Sequence, residues 1–122
     1  MIGYTTLGTN DFERAKTFYD AVLGELGGKR SLSYARMQVW RSASGMGMLA
    51  VCVPFDGQPA TPGNGTMVAL AAPSHALIDK AYASAIASGA ADEGKPGDRG
   101  DGFYGAYFRD LDGNKLCVFK LG

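Results

Sequence analysis

The sequence predicts an α+β fold in which two tandem βαβββ modules form a curved mixed sheet with a cleft. In each half of the chain, a short apolar run is followed by an amphipathic helix with a polar capping residue, a glycine stop and further strand-like runs. The halves keep a constant spacing, because Tyr4 and Met67 are 63 residues apart, as are Tyr19 and Tyr82. Such self-similarity indicates an internal duplication.

The connector between the halves, residues 55–65, is rich in Pro and Gly and carries no periodic apolar pattern. We therefore predict a single domain over residues 1–122, with a first module at about residues 1–54 and a second at about residues 66–122. Each module is expected to bury its helix on one face of its strands. The other face then remains available to line a cleft, where small ligands usually bind.

Module one begins with a predicted strand at residues 2–7. A helix follows, capped by Asn10 or Asp11, because a short side-chain oxygen accepts from the unpaired N–H groups of the first turn. Gly27 and Gly28 end this helix. The apolar residues at helical spacing are Phe12, Ala15, Phe18, Tyr19, Val22, Leu23 and Leu26. The predicted strands that follow are residues 34–41 and 46–54.

Module two repeats this order, with a strand at residues 66–71, a helix capped by Ser74, and a stop at Gly89. The apolar stripe of its helix is Leu77, Ile78, Ala81, Tyr82, Ala85 and Ile86. The polar stretch 92–102 is predicted as a loop with room for one short strand. A hairpin closes the module, with strands at residues 103–109 and 115–121 around the turn D-L-D-G-N.

Composition restricts the possible functions. The chain has 12 Lys and Arg against 12 Asp and Glu and no basic run, so we expect no nucleic-acid partner. No apolar run approaches the roughly 18 residues of a membrane span, and the N-terminus shows no secretory signal pattern. Two cysteines do not make a disulfide framework, which favours a cytoplasmic protein with reduced thiols. Zero net charge favours self-association, so we expect a homodimer.

Three stretches resemble the vicinal oxygen chelate superfamily, the group of glyoxalases, bleomycin-resistance proteins and extradiol dioxygenases. They are GYTTLGTNDFERAKTFYDAVLG, PFDGQPATPGNGTMVALAAPS and YFRDLDGNKLCVF, the last with the D-x-D-G-N hairpin of that family. The resemblance spans the chain and is strongest to small bacterial glyoxalase-like proteins. It implies a cleft that holds one divalent metal ion chelated by substrate oxygens, although some members lack the metal and sequester a drug.

The positions that the resemblance assigns to metal ligands carry other residues. The family usually has His or Gln at the position of Tyr4, His at Met67 and Glu at Cys117, and the stretch 51–54, where a fourth ligand is expected, contains no acid. A phenol, a thioether and a thiol do not provide the imidazole and carboxylate donors of such sites. We therefore expect no metal cofactor. The only histidine, His75, is expected at the surface, in the first turn of the second helix.

Two other interpretations of the sulfur residues remain open. Tyr4, Met67, Cys117 and Cys52 could together hold a soft ion such as Cu(I), although Met and Cys are more often apolar packing residues. Cys117 would be a reactive thiol only with a cation close enough to lower its pKa.

Aromatic residues provide further cleft candidates. If Arg109 pairs with Lys115, then Tyr107 lies opposite Cys117 and points into the same cleft. Trp40 is a second candidate, although a shift of one residue would turn it to the other face. The predicted cleft lining is Tyr4, Met67, Ala69, Ala71, Tyr107 and Cys117. Trp40 joins this lining if the register of its strand directs its side chain to the cleft face. Such a lining suits an uncharged or aromatic small molecule.

Three functions are compatible with this pattern. The first is metal-free binding of an apolar or aromatic small molecule by a glyoxalase-like homodimer. The second is a metal-dependent lyase or dioxygenase with an unusual site. The third is a structural dimerisation module whose cleft is filled by its own side chains.

Overall fold

The computed structural model describes the whole chain, Met1–Gly122. It contains two helices, α1 (Phe12–Glu25) and α2 (His75–Ala87). The first four strands are β1 (Tyr4–Gly8), β2 (Lys29–Ser33), β3 (Met37–Arg41) and β4 (Met48–Cys52). The last four are β5 (Val68–Ala71), β6 (Ala91–Asp98), β7 (Phe103–Arg109) and β8 (Lys115–Leu121). Neither helix is long and apolar enough to cross a membrane.

The strands form two mixed sheets of four strands each. The N-terminal sheet has the order β1-β4-β3-β2, and the C-terminal sheet has the order β5-β8-β7-β6. In each sheet the strand before the helix pairs in parallel with the last strand of its module, and the other pairs are antiparallel. This shared topology confirms the two βαβββ modules. No strand of one sheet pairs with a strand of the other, so the predicted curved sheet is divided in two.

Both helices begin and end as the sequence predicts. The side chains of Asp11 and Ser74 each accept a hydrogen bond from the backbone N–H three residues further on. These bonds satisfy donors that the first helical turn leaves unpaired. Gly27 and Gly89 follow the helices with φ values of +80° and +102°, a region that glycine adopts without strain.

Two strands differ from the prediction. Lys29–Ser33 forms β2 although every residue in it is exposed, so it lacks the apolar alternation that marks a strand. Ala91–Asp98 forms β6 although it contains two glycines and a proline, and its pairing with β7 shifts register twice. Both are edge strands, where bulges and proline are tolerated, and each pairs with an adjacent strand that is predicted correctly.

The two modules share one hydrophobic core. Its 17 buried residues come from both helices and from one face of each sheet. Phe18 on α1 packs against Phe108 on β7 with ring centroids 6.5 Å apart, and α1 also packs along α2. The helices therefore lie between the two sheets, and the opposite face of each sheet is directed away from the core, on an outer side of the chain.

The D-x-D-G-N turn joins the two modules. The Asp110 carboxylate is 6% exposed and accepts from the backbone N–H groups of Asp112 and Asn114 and from the Asn114 amide. It also accepts from the hydroxyl of Tyr19 on α1 at 2.5 Å. The same Asn114 amide also donates a hydrogen bond to the carbonyl oxygen of Gly8, at the end of β1. The turn thus holds the second module against both the first helix and the first strand.

Candidate functional site

The outer face of the N-terminal sheet carries an apolar cavity. This face is defined by Tyr4, Thr6, Met48 and Ala50, which alternate with core residues along β1 and β4 and pair with one another across the two strands. The cavity has a volume of about 560 Å³. It is lined by Tyr4, Leu32, Tyr34, Ala35, Arg36, Met37, Val39 and Met48. The lining suits an apolar or aromatic group.

The one charged residue of this cavity is held by its neighbours. The guanidinium of Arg36 donates to the carbonyl of Val53 at 2.6 Å and lies 5.3 Å from the centroid of the Phe55 ring. Tyr4 itself is 59% exposed, so its phenol ring is accessible at the cavity mouth.

The outer face of the C-terminal sheet is defined by Met67, Ala69, Tyr107 and Cys117. Arg109 pairs with Lys115 and Tyr107 with Cys117, which is the register the hairpin sequence predicts. Ala69 lies beside Cys117 on the other side, across the parallel β5–β8 pair. Cys117 is 1% exposed, whereas Met67 is 44% exposed. The thiol therefore forms the floor of this face, and the Tyr107 side chain stands beside it.

Both titratable groups of this pair are neutral at ordinary pH. Burial raises the pKa of the Cys117 thiol, and the nearby Tyr107 hydroxyl and the cations Arg99 and Lys115 offset this only in part. The pKa of Tyr107 is also raised, first by burial and then by Cys117. A buried, protonated thiol is a poor nucleophile and a poor metal ligand, so its burial and raised pKa do not support the reactive-thiol interpretation, although two cations lie nearby.

Two cations that the sequence analysis did not single out lie against Tyr107. The Arg99 guanidinium is 5.6 Å from the centroid of the Tyr107 ring, and the Lys115 ammonium is 5.8 Å from it. Lys115 could have been assigned to this face from the strand alternation, because it lies two residues before Cys117. Arg99 could not, since it follows a strand that the sequence does not reveal.

Trp40 lies on the other side of its sheet. It is 2% exposed, its ring packs 5.8 Å from that of Tyr19 on α1, and its indole N–H donates to Asp20 at 3.0 Å. Its partner across β3 and β4 is Leu49, a core residue. The register that would place Trp40 in the predicted cleft is therefore wrong, and the residue belongs to the helix-bearing face.

The structure does not bring Tyr4, Met67 and Cys117 together within one chain. Tyr4 lines the 560 Å³ cavity on the N-terminal outer face. Met67 lines a second cavity, of about 600 Å³, which lies between strand β5 and the helix-bearing side of the N-terminal sheet near Trp40 and Leu49. Cys117 lines neither of these two cavities. No two of the three positions therefore line the same one of these cavities.

The donor set does not fit a divalent metal ion. No group of three or more His, Cys, Asp or Glu side chains is placed where it could hold a metal. The position that matches Cys117 in module one is Ala50, since Thr6 pairs with Ala50 as Ala69 pairs with Cys117. This lies one residue before the stretch 51–54 named from the sequence, and it offers no donor either.

The remaining candidates for metal binding are also separated. Cys52 is half-buried on β4 and Cys117 is buried on β8, in different sheets, and both thiols are free. One chain therefore does not assemble the Cu(I) arrangement. His75 is exposed and stacks on Tyr104 with ring centroids 4.0 Å apart, which agrees with the predicted surface position.

Solved structures similar to this one share the whole architecture. A glyoxalase/bleomycin resistance protein from Albidiferax ferrireducens T118 is 40% identical, with a TM-score of 0.93 over 100% of this chain and 99% of that one. A glyoxalase/bleomycin resistance protein/dioxygenase family enzyme from Burkholderia phytofirmans PsJN is 17% identical, with a TM-score of 0.78 over 98% of each chain. A lactoylglutathione lyase from Agrobacterium tumefaciens is 22% identical, with a TM-score of 0.70 over 98% of this chain and 92% of that one. The last two similarities show the fold alone.

The sequence comparisons lead to the same group. No curated protein shows significant similarity to the chain. The profile of one family, by contrast, matches residues 1–118, almost the whole length. With this match and the 40% identity to the Albidiferax protein, the chain belongs to the Glyoxalase/Bleomycin resistance protein/Dioxygenase superfamily.

Proposed function

We propose that this protein binds an apolar or aromatic small molecule without a metal ion, in a cleft formed between two copies of the chain. The observation that carries the proposal is the open apolar cavity beside Tyr4, together with the lack of imidazole and carboxylate donors at the positions that the resemblance assigns to metal ligands. The resemblance assigns Tyr4, Met67 and Cys117 to these positions. Seven of the eight residues that line the 560 Å³ cavity are hydrophobic. This volume falls in the range of small-molecule sites.

The direction of the two outer faces supports the proposed homodimer. Within one chain they are separated by the helix layer, so the face with Tyr4 and the face with Cys117 do not enclose a common space. A second copy that lays its C-terminal outer face over the N-terminal outer face of the first would enclose one. Large apolar side chains exposed on these faces support such a contact: Tyr4, Leu32, Tyr34 and Met67.

Two further features of the chain are part of this proposal. Both thiols are unpaired, which suits the reducing environment of the cytoplasm. The open cavity beside Tyr4 argues against a cleft filled by its own side chains, so the purely structural role is less well supported.

A gain-of-function variant tests the metal-free assignment. Tyr4→His, Met67→His and Cys117→Glu together replace the phenol, thioether and thiol by two imidazoles and a carboxylate, the donors that zinc and cobalt prefer. We expect this triple variant to bind Co²⁺ with a visible absorption band and the unaltered protein to show none. The matched control retains Cys117 and carries only the two histidines, and it should bind much more weakly. A folded triple variant without Co²⁺ binding would show that these residues do not occupy the ligand positions.

A mixing experiment tests whether the cleft is shared between copies. One preparation carries only Tyr4→His, and the other carries only Met67→His with Cys117→Glu. If the cleft lies between copies, the two preparations bind little Co²⁺ separately, and mixing with subunit exchange produces one complete site per heterodimer. If mixing restores no binding although the triple variant binds Co²⁺, the site is confined to one chain and the shared cleft is wrong.

A further inference from the structure

The C-terminal outer face carries a pair of cations that no acidic side chain neutralises. Neither Arg99 nor Lys115 has a carboxylate oxygen within 4 Å, whereas Arg109 on the same side is paired with Glu93. Because the chain as a whole has zero net charge, this is a local excess of positive charge.

The backbone of β6 leaves space for Arg99 to reach this position. The guanidinium donates to the carbonyl of Lys95 at 2.6 Å, so the side chain turns back along the strand. An added Cβ at Gly94 or Gly97 would come within 3.2 Å or 3.0 Å of the guanidinium. Gly94 and Gly97, which make β6 hard to predict from the sequence, therefore form the groove in which the Arg99 side chain lies. In this groove the guanidinium lies beside the Tyr107 ring.

The groups beside the two cations do not cancel their charge. Arg99 and Lys115 lie 5.6 Å and 5.8 Å from the centroid of the Tyr107 ring, and Cys117 pairs with Tyr107 on the neighbouring strand. Burial raises the pKa of both the phenol and the thiol, so neither is an anion at neutral pH. An anionic group of a ligand bound beside the Tyr107 ring would lie near two cations, a planar guanidinium and an ammonium.

We propose that Arg99 and Lys115 bind the acidic group of the ligand, so that the cleft recognises an organic acid with an aromatic or alkyl body. The inference rests on the proposed shared cleft, in which the apolar cavity beside Tyr4 of one copy faces this cationic pair of another. The acid would lie against Arg99 and Lys115, and its apolar body would fill the 560 Å³ cavity.

A pair of fluorescent probes with similar ring systems separates charge from apolar contact. 8-Anilinonaphthalene-1-sulfonate is an aromatic anion, and N-phenyl-1-naphthylamine is its neutral counterpart. We expect the protein to bind the anion more tightly, with an affinity that falls as salt is added, since exposed charges are screened. Arg99→Gln and Lys115→Gln should each weaken binding of the anion by about 10-fold or more, the range of a lost charge-assisted contact. Binding of the neutral probe should change less than about 2-fold.

Matched variants control for net charge and for folding. Lys120→Gln removes one positive charge from the same strand, and its ammonium contacts only the carbonyl of Gly122, so binding of both probes should be unchanged. Arg99→Lys retains the charge and should recover part of the affinity for the anion. Near-UV circular dichroism checks that each variant keeps the native packing.

The outcomes distinguish this inference from the proposed function. If both probes bind but Arg99→Gln and Lys115→Gln leave the affinity for the anion unchanged, or weaken both probes equally, the acid-recognition site is wrong and the apolar cleft stands. If neither probe binds the unaltered protein, the ligand-binding function itself is overturned.

Discussion

Tyr19→Phe removes one hydrogen bond from the joint between the modules and leaves the packing of the ring in place. The Tyr19 side chain is 1% exposed, and its hydroxyl donates to the buried Asp110 carboxylate. Phenylalanine keeps the ring contacts with Phe18 and Trp40, so the change isolates the hydroxyl. Asp110 retains its three N–H donors from the turn, and the expected cost is therefore that of one hydrogen bond to a charged acceptor, about 1.5–3 kcal/mol.

Urea unfolding at a fixed protein concentration measures this loss. With a denaturant dependence of about 2 kcal/mol per molar for a domain of this size, the unfolding midpoint should fall by roughly 1 M. Tyr82→Phe is the matched control, because Tyr82 occupies the equivalent place on α2 and its hydroxyl donates to Asp92 at the surface. That variant should leave the midpoint unchanged. If Tyr19→Phe also left it unchanged, the Asp110 joint would not hold the modules together.

Two other measurements follow from buried groups. Burial, with Asp110 beside it, raises the pKa of Tyr19 well above its ordinary value of 10.0, so the unfolded chain ionises first as pH rises. The stability that Tyr19 contributes is fully present below about pH 10 and is lost as the pH rises above it. Tyr19→Phe should therefore reduce the fall of the urea midpoint at alkaline pH. An identical fall in both proteins would refute the raised pKa of Tyr19. In thiol labelling with a disulfide reagent at pH 8, the half-buried Cys52 should react in the native protein and Cys117 only after unfolding. Cys52→Ser should therefore remove the fast phase, and rapid native labelling of Cys117 would contradict its buried position.

The duplicated architecture could be predicted because each module begins with strong local signals. The caps at Asp11 and Ser74 and the apolar stripes of the helices depend on residues close in sequence, and the structure retains them. The register of the last hairpin also follows from local turn chemistry, so the placement of Tyr107 opposite Cys117 was correct. In such segments, local preference and tertiary packing favour the same structure.

The other parts depend on contacts that the sequence does not display. Strand β6 forms because β7 offers it a pairing edge, despite its glycines and proline, and only this pairing brings Arg99 to the outer face. A one-residue change of register would turn Trp40 to the other face of its sheet, and the packing of Trp40 against α1 determines which face it occupies. The separation of the two outer faces depends on the packing of the helices between the sheets, which the pattern of a single module does not determine.

Native mass spectrometry tests the central claim most directly. The protein would be purified from cells grown with added zinc, nickel, manganese and iron, dialysed, and sprayed from a volatile buffer at neutral pH. Our account predicts a homodimer without stoichiometric metal, in which any bound molecule is an organic compound. A species that retains one of these metal ions per chain after dialysis would contradict the claim that the cleft works without a metal.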